Sequence, residues 1–600
     1  MKKNDAFRRA AALMAALSIT VSLAAPAFAA TYYIDNGDIT ITKNEDGKQT
    51  VQQGSNEAVN IGDDEEIIIT TRDQTPATQE SDLEGPAAED SGFGPVVEDN
   101  YQPAPPAQPE DAEEPKDADQ PEDDDQKKST EESEDDDQKN AEESEDDDQK
   151  NAEESENDEE QKDADRQENA GQQPQPQQAA PADAAPAAPA PANGFCKNII
   201  TVINNAATAL KLTLKDVKID VSDTGKNTGY PWTSDEGKAA LSVQGNGNVE
   251  IELDGNNELK SGPHRAGLEK NTSTSTGTLT LKDDNNEAGS LTATGGDWGA
   301  GIGNGGYYGN SDNRSGENIT ITGGTVNATG GWGGAGIGGG YYGSGKNITI
   351  KGGTVTATGG EEGAGIGGGY YYGGGYYGNG YYGNGENIKI TDGTVNATGG
   401  WGGAGIGGGG GGGNGAGGNG KNITIIGGTV TAGGGYRGAG IGGGISGSGK
   451  NITITGGTVN ADGGEEAAGI GGGATGSGSN VTVSGAAQVT AIAGKSNGYY
   501  GAGATIGNGG DFTGSENVDG KEIQADISRV TTGYIHHIIY DPALVSEDNP
   551  LGIVREWWEP ERPQPNPEDP EDPNAPAEES NEVSLGTPIL HVETLEGDPL

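Results

Sequence analysis

The chain has 600 residues, of which 30% are hydrophobic, with 109 glycines, one cysteine and a formal net charge of −58. So large an acidic excess excludes nucleic acid and anionic lipid as partners held by charge. A single cysteine excludes an internal disulfide framework, so packing and backbone hydrogen bonds must supply the stability.

Lys2, Lys3, Arg8 and Arg9 precede an apolar run over residues 10–25, and Ala27-Phe28-Ala29 forms a small-x-small cleavage pattern. This predicts a Sec-type bacterial signal peptide over residues 1–29 and a secreted or cell-surface location. No later run approaches the roughly 18 apolar residues of a membrane-spanning helix, so no transmembrane span is expected. Residues 30–74 alternate apolar and polar positions (Asp38-Ile39-Thr40-Ile41-Thr42, then Ile67-Ile68-Ile69-Thr70) and read as short strands, the first turns of a larger coil.

Residues 75–193 are of low complexity. The run Glu131-Glu132-Ser133-Glu134-Asp135-Asp136-Asp137 recurs from Glu142 without an apolar stripe, and residues 172–192 are rich in Pro, Ala and Gln. Self-repulsion and the lack of buriable surface predict a disordered acidic insertion or linker.

From residue 194 to 528 the chain repeats. Asn-Ile-x-Ile or a close variant begins at Asn318, Asn347, Asn387, Asn422, Asn451 and Asn480, and glycine-rich insertions lengthen two of the intervals. One unit reads Asn347-Ile348-Thr349-Ile350-Lys351-Gly352-Gly353-Thr354-Val355-Thr356-Ala357-Thr358-Gly359-Gly360, two variable residues, then Gly363-Ala364-Gly365-Ile366-Gly367-Gly368. Side chains alternate faces along a strand, so Ile348, Ile350, Val355, Ala357, Ala364 and Ile366 point inward. Three short strands with glycine corners make a coil that buries its apolar face only by stacking on the next. The asparagines fall in one column, where amides can bond along the stack. Asn387-Ile388-Lys389 breaks the glycosylation sequon without breaking the column. Cys196, at the start of a strand, reads as a small buried residue. Residues 529–558 suit a C-terminal cap, and residues 559–600 form a Pro-rich acidic tail.

These units, exemplified by Ile321-Thr322-Gly323-Gly324-Thr325-Val326 with Ala335-Gly336-Ile337-Gly338-Gly339-Gly340, resemble secreted glycine-rich β-helix repeat proteins of Firmicutes-type bacteria. The resemblance covers about residues 196–525. It implies an all-β, right-handed parallel β-helix similar to pectate lyases, with carbohydrate binding as a family property.

The two variable residues mark the candidate site. Asp297, Trp332, Glu361, Trp401, Tyr436 and Glu465 share one column, and Trp298, Gly333, Glu362, Gly402, Arg437 and Glu466 the next. Stacked coils are expected to turn both into one exposed edge. Aromatic faces stack on sugar rings, while carboxylates accept hydroxyl hydrogen bonds or could hold Ca²⁺. Tyrosine groups (Tyr307-Tyr308, Tyr341-Tyr342, Tyr370 to Tyr372, Tyr376-Tyr377, Tyr381-Tyr382, Tyr499-Tyr500) are expected to project on loops, and outward threonines (Thr325, Thr354, Thr394, Thr429, Thr458) to line a strand face.

Signals for catalysis are thin. His264-Arg265 has no evident partner pattern, and His536-His537 lacks metal-ligand spacing to another histidine. Glu361-Glu362 is adjacent in sequence, unlike a positioned acid and base. The expected function is a non-enzymatic adhesin that binds extracellular polysaccharide or surface glycan along the edge. A β-helix polysaccharide lyase or hydrolase, and a structural stalk without ligand, are the alternatives.

Overall fold

The computed structural model describes residues 29–72, 194–225 and 236–561, apart from 64, 286, 307–314, 374–382, 414–416 and 514–515. The signal segment, the acidic zone and the tail beyond residue 561 lie outside the described residues. No described helix is long and apolar enough to cross a membrane.

The repeat closes into coils of three strands. In one coil these are Gly345–Ile350, Thr354–Thr358 and the two-residue Ile366–Gly367. Each pairs in parallel with its counterpart in the preceding coil, Ile319 opposite Ile348, Val326 opposite Val355 and Ile337 opposite Ile366. Like residues therefore stack in columns, spaced by the roughly 4.8 Å of a parallel ladder. Ile348, Ile350, Val355, Ala357, Ala364 and Ile366 are all fully buried, so each coil hides six apolar side chains. Burial of an isoleucine or valine contributes roughly 1.5–3 kcal/mol, realised only when the next coil covers it.

The asparagine column is a continuous ladder. Each amide Nδ2 donates to the Oδ1 one coil back, at 3.0 Å from Asn347 to Asn318 and 3.1 Å from Asn387 to Asn347. The ladder runs on through Asn422, Asn451 and Asn480 at 3.0 Å each. All six asparagines hold a positive φ of 53–58°, a conformation that asparagine tolerates better than other side-chain-bearing residues. The column thus fixes the corner and satisfies its amides together.

The coil begins before the acidic zone. Ala30–Tyr33 pairs with Ile67–Thr70, which pairs in turn with Leu210–Lys215, while Ile39–Lys43 pairs with Ile200–Asn204. All three pairings are parallel. The strands on either side of residues 73–193 thus belong to one stack, and cleavage within that zone should leave the two fragments bound together. Co-elution after nicking, with separation only in denaturant, is the expected result; native separation would contradict the pairing.

At the other end, Asp526–Val530 and Tyr534–Tyr540 stack on the last full coil, and Ile553–Glu559 turns back antiparallel along Tyr534–Tyr540. His536 and His537 lie flat against Trp558 and Trp557, with ring centroids 3.8 and 4.4 Å apart. Cys196 is buried in a bridge to Ile219, and burial pushes its thiol up to about 11, which leaves it unreactive.

Candidate functional site

The variable pair sits on the turn between the second and third strands, and its two members part company. The first member faces outward: Trp332, Trp401 and Tyr436 are 37%, 46% and 38% exposed, Glu361 is exposed, and Asp297 and Glu465 are half-buried. The second faces inward: Trp298 is 2% exposed and Glu466 fully buried, Gly333 and Gly402 are covered, and Glu362 and Arg437 are half-buried. The expectation of one exposed edge built from both columns is therefore corrected to a single exposed column backed by a buried one. The cause is local backbone. Trp298, Gly333 and Glu466 have φ of 69°, 75° and 66°, which swings the side chain back toward the coil.

What it swings against is a second turn, after the third strand. The amide of Tyr341 donates to the Trp298 carbonyl at 2.8 Å, Tyr370 to Gly333 at 2.8 Å, Gly410 to Glu362 at 2.7 Å and Ile445 to Gly402 at 2.8 Å. The same bond repeats from Ala474 to Arg437 at 3.0 Å and from Gly510 to Glu466 at 2.6 Å. The two turns are thus zipped side by side, and the inward column lies between them.

In the earlier coils this space holds aromatic rings. Trp298 packs 6.0 Å from Tyr341 and 4.7 Å from the His264 ring, and Trp332 packs 5.8 Å from Tyr341 and 5.3 Å from Tyr370. Gly333 makes the room: a Cβ there would lie 3.0 Å from the Tyr341 ring. Tyr341 and Tyr370 are buried, so the expected projecting loops are corrected for these two. Tyr307, Tyr308, Tyr376, Tyr377, Tyr381 and Tyr382 lie outside the described residues.

Further along, Trp401 and Tyr436 sit nearly parallel on neighbouring coils, centroids 5.5 Å apart and planes 17° from one another. Arg437 is pinned behind them by a 2.9 Å ion pair with Glu466, its guanidinium 5.7 Å from the Tyr436 ring and 4.6 Å from the Tyr500 ring. Glu465 pairs with Lys495 at 3.2 Å. Burial holds Glu466 above the ordinary carboxylate range, with Arg437 opposing.

Glu362 has no such partner. Its Oε2 is buried without a hydrogen bond, in a slot left by Gly402 and Gly410 of the next coil. Burial, reinforced by Glu361, pushes this carboxyl up to about 8. Three coils further on, burial raises Asp462, at the end of a second strand, to about 7.

At the N-terminal end of the edge the structure supplies partners that the sequence did not reveal. Arg265 bridges Glu236 and Glu269, each at 2.9 Å, beside His264 and Asp297. The glutamates lie 29 residues before and 4 after Arg265, and only closure of the coil brings the first into reach. Burial lowers the His264 pKa, so the ring is neutral at pH 7. Among the described residues no group of three or more His, Cys, Asp or Glu could hold a metal ion. The outward threonines of the second strand do line one exposed column, from Thr325 through Thr458.

A family model described as "Beta helix repeat" matches residues 319–341, 348–370, 388–410, 423–445 and 452–474. Comparison with curated proteins and with solved structures returned no match. Each matched segment starts at the first inward isoleucine of a coil (or the residue that fills its column) and runs to the second turn, so the match and the stacking describe the same unit. With parallel coils stacked on both sides of these five, the chain is a β-helix repeat protein.

Proposed function

We propose that this is an extracellular adhesin that binds polysaccharide without cleaving it, along the exposed column from Asp297 to Glu465. The observation that carries the reading is the Trp401–Tyr436 pair: two large rings, nearly parallel and close to half exposed, held on matching turns of adjacent coils. Exposed rings on a rigid scaffold lose little entropy on binding and match the apolar faces of sugar rings. Glu361 and Glu465 flank them as hydroxyl acceptors. The column repeats once per coil, so a polymer can engage several positions at once, and weak contacts add through effective concentration.

Glycan-array binding by the purified chain is the test, with Trp401→Ala/Tyr436→Ala as the variant. The two rings are expected to contribute about 1–2 kcal/mol together, so the variant should bind on the order of tenfold more weakly. Unchanged binding, or none by the parent chain, would overturn the assignment. A second reading, a β-helix lyase or hydrolase, draws on the Glu236–Arg265–Glu269 bridge beside His264 and Asp297. Release of unsaturated uronides from a pectic polymer would favour that reading over the first.

A further inference from the structure

The interior of the solenoid is mostly aliphatic, with scattered buried polar side chains such as Asn204, Asn257 and Glu466. Lys270 and Asn304 are two of these, both fully buried. They lie on adjacent coils one step past the parallel pairs Leu268–Ile302 and Glu269–Gly303, so they are register neighbours about 4.8 Å apart along the stack. Lys270 continues the inward register of Leu268, opposite the buried Val243 of the coil before, and Asn304 stands directly after Gly303, whose φ of 137° ends its strand.

In the coils before, Val202 and Val243 fill the Lys270 column, and in the five coils after Asn304 the position is Gly339, Gly368, Gly408, Gly443 and Gly472 before Asn508 refills it. At Gly339, Gly443 and Gly472 a Cβ would strike the backbone of the same turn four residues on, at Gly343, Gly447 and Gly476. Asn304 therefore occupies a position that the next five coils keep closed. Neither Lys270 nor Asn304 is well satisfied. The Lys270 ammonium position has one long contact, 3.4 Å to the Ser275 carbonyl oxygen, and the Asn304 amide has no hydrogen-bond partner for Nδ2 or for Oδ1. The Ser275 hydroxyl beside them is also unpartnered.

A buried primary carboxamide with both polar atoms unpaired costs several kcal/mol, and a buried ammonium costs more. Such a pair is hard to account for as a stabilising contact and easy to account for as two reactants. We infer that Lys270 and Asn304 form an intramolecular isopeptide cross-link between neighbouring coils. The unprotonated Nζ attacks the Asn304 side-chain carbonyl carbon Cγ, the Nζ–Cγ bond forms, and the Cγ–Nδ2 bond breaks. The proton shed by Nζ leaves with Nδ2 as ammonia. No oxidant, reductant or cofactor enters the balance.

The surroundings favour each step. Burial draws the Lys270 amine down to about 8, against the opposing pull of Glu317, so about a tenth of the amine is unprotonated at pH 7. Placement on adjacent coils confines the two groups to one neighbourhood before reaction, which lowers the entropic part of the barrier. The product replaces a buried cation and an orphaned amide with one neutral secondary amide, and it ties two coils covalently in a protein without disulfides.

Peptide mapping of the purified full-length chain decides the matter. The expected result is one branched peptide joining the segments around Lys270 and Asn304, and an intact mass lower by one ammonia. Because Asn304 precedes Gly305, a cyclic imide at that step would give the same mass change, so the branch itself is the deciding reading. Lys270→Arg should abolish the branch and return both peptides linear. Recovery of linear Lys270 and Asn304 peptides from the parent chain, as the dominant species, overturns the proposal whatever the variants do.

Discussion

Gly407→Ala is expected to destabilise the solenoid by about 3 kcal/mol or more, while Gly433→Ala, at the end of the second strand one coil on, should be neutral or slightly stabilising. Gly407 follows the inward isoleucine of the third strand with φ of 142°, and a Cβ there would run into the carbonyl oxygen of Gly442. The clash is with backbone, which cannot yield without parting two coils. The same geometry recurs at Gly338, Gly367, Gly442 and Gly471, each against the glycine one coil on. The cost therefore combines left-handed strain with a broken ladder. Gly433 differs in both respects. Nothing lies within 4 Å of its Cβ, and the coils before it carry Thr358 and Thr398 in register. An alanine there removes unfolded-state entropy, worth about 0.4–1 kcal/mol. Urea titrations of the two variants should separate clearly in midpoint. Because each coil contacts only its neighbours, limited proteolysis of Gly407→Ala should cut near that coil before either end. Equal midpoints for the two variants would mean that close coil stacking is not what fixes the glycine columns.

That contrast also marks how far the sequence could be read. Ile348, Val355 and Ile366 repeat with strict alternation, and a repeated alternation has one three-dimensional solution, so the coil and its core columns were legible in advance. The asparagine column was legible for the same reason. The inward turn of Trp298 and Glu466 was not, because alternation stops at a turn and the backbone sign at one residue decides which way a side chain goes. A signal existed at one position: Gly333 stands in the column of Trp298 and Glu466, and all three hold the left-handed conformation that glycine adopts without strain. The second turn, carrying Tyr341 and Tyr370, was treated apart from the first, although the hydrogen bonds between them create the site. The link from Arg265 to Glu236 depends on the path of a less regular coil, where no repeat predicts register.

Raising the pH from about 6.5 to 8.5 is expected to lower the stability of the chain, and Glu362→Gln should remove much of that loss. Glu362 stands at about 8 when folded and Asp462 at about 7, both above their ordinary values because burial disfavours the charged form. A carboxyl whose folded pKa is raised contributes stability fully present below the unfolded pKa and lost as the pH rises through the folded one. At about 1.4 kcal/mol per pKa unit, counting only the roughly 1.5 units between pH 6.5 and its folded value and allowing for solvent at its half-buried side, Glu362 accounts for roughly 1–2 kcal/mol across that range. His537 works in the opposite direction. Burial against Trp557 draws it down to about 4, so its contribution is lost as the pH falls from about 6.5 toward 4. The two effects oppose each other between pH 4.5 and 6.5, and above 6.5 the carboxylates dominate, with an unreacted Lys270 amine at about 8 opposing them only above that value. Thermal melts at pH 6.5, 7.5 and 8.5 should therefore show a fall in the parent chain and a shallower one in Glu362→Gln; parallel curves would show that the Gly402–Gly410 slot is wet. Glu362 lies one residue from the exposed column and one coil from Trp401. A ligand hydroxyl donating to its free oxygen would favour the ionised form, so saturation with a bound glycan should flatten the alkaline fall in the parent chain and leave the variant unchanged.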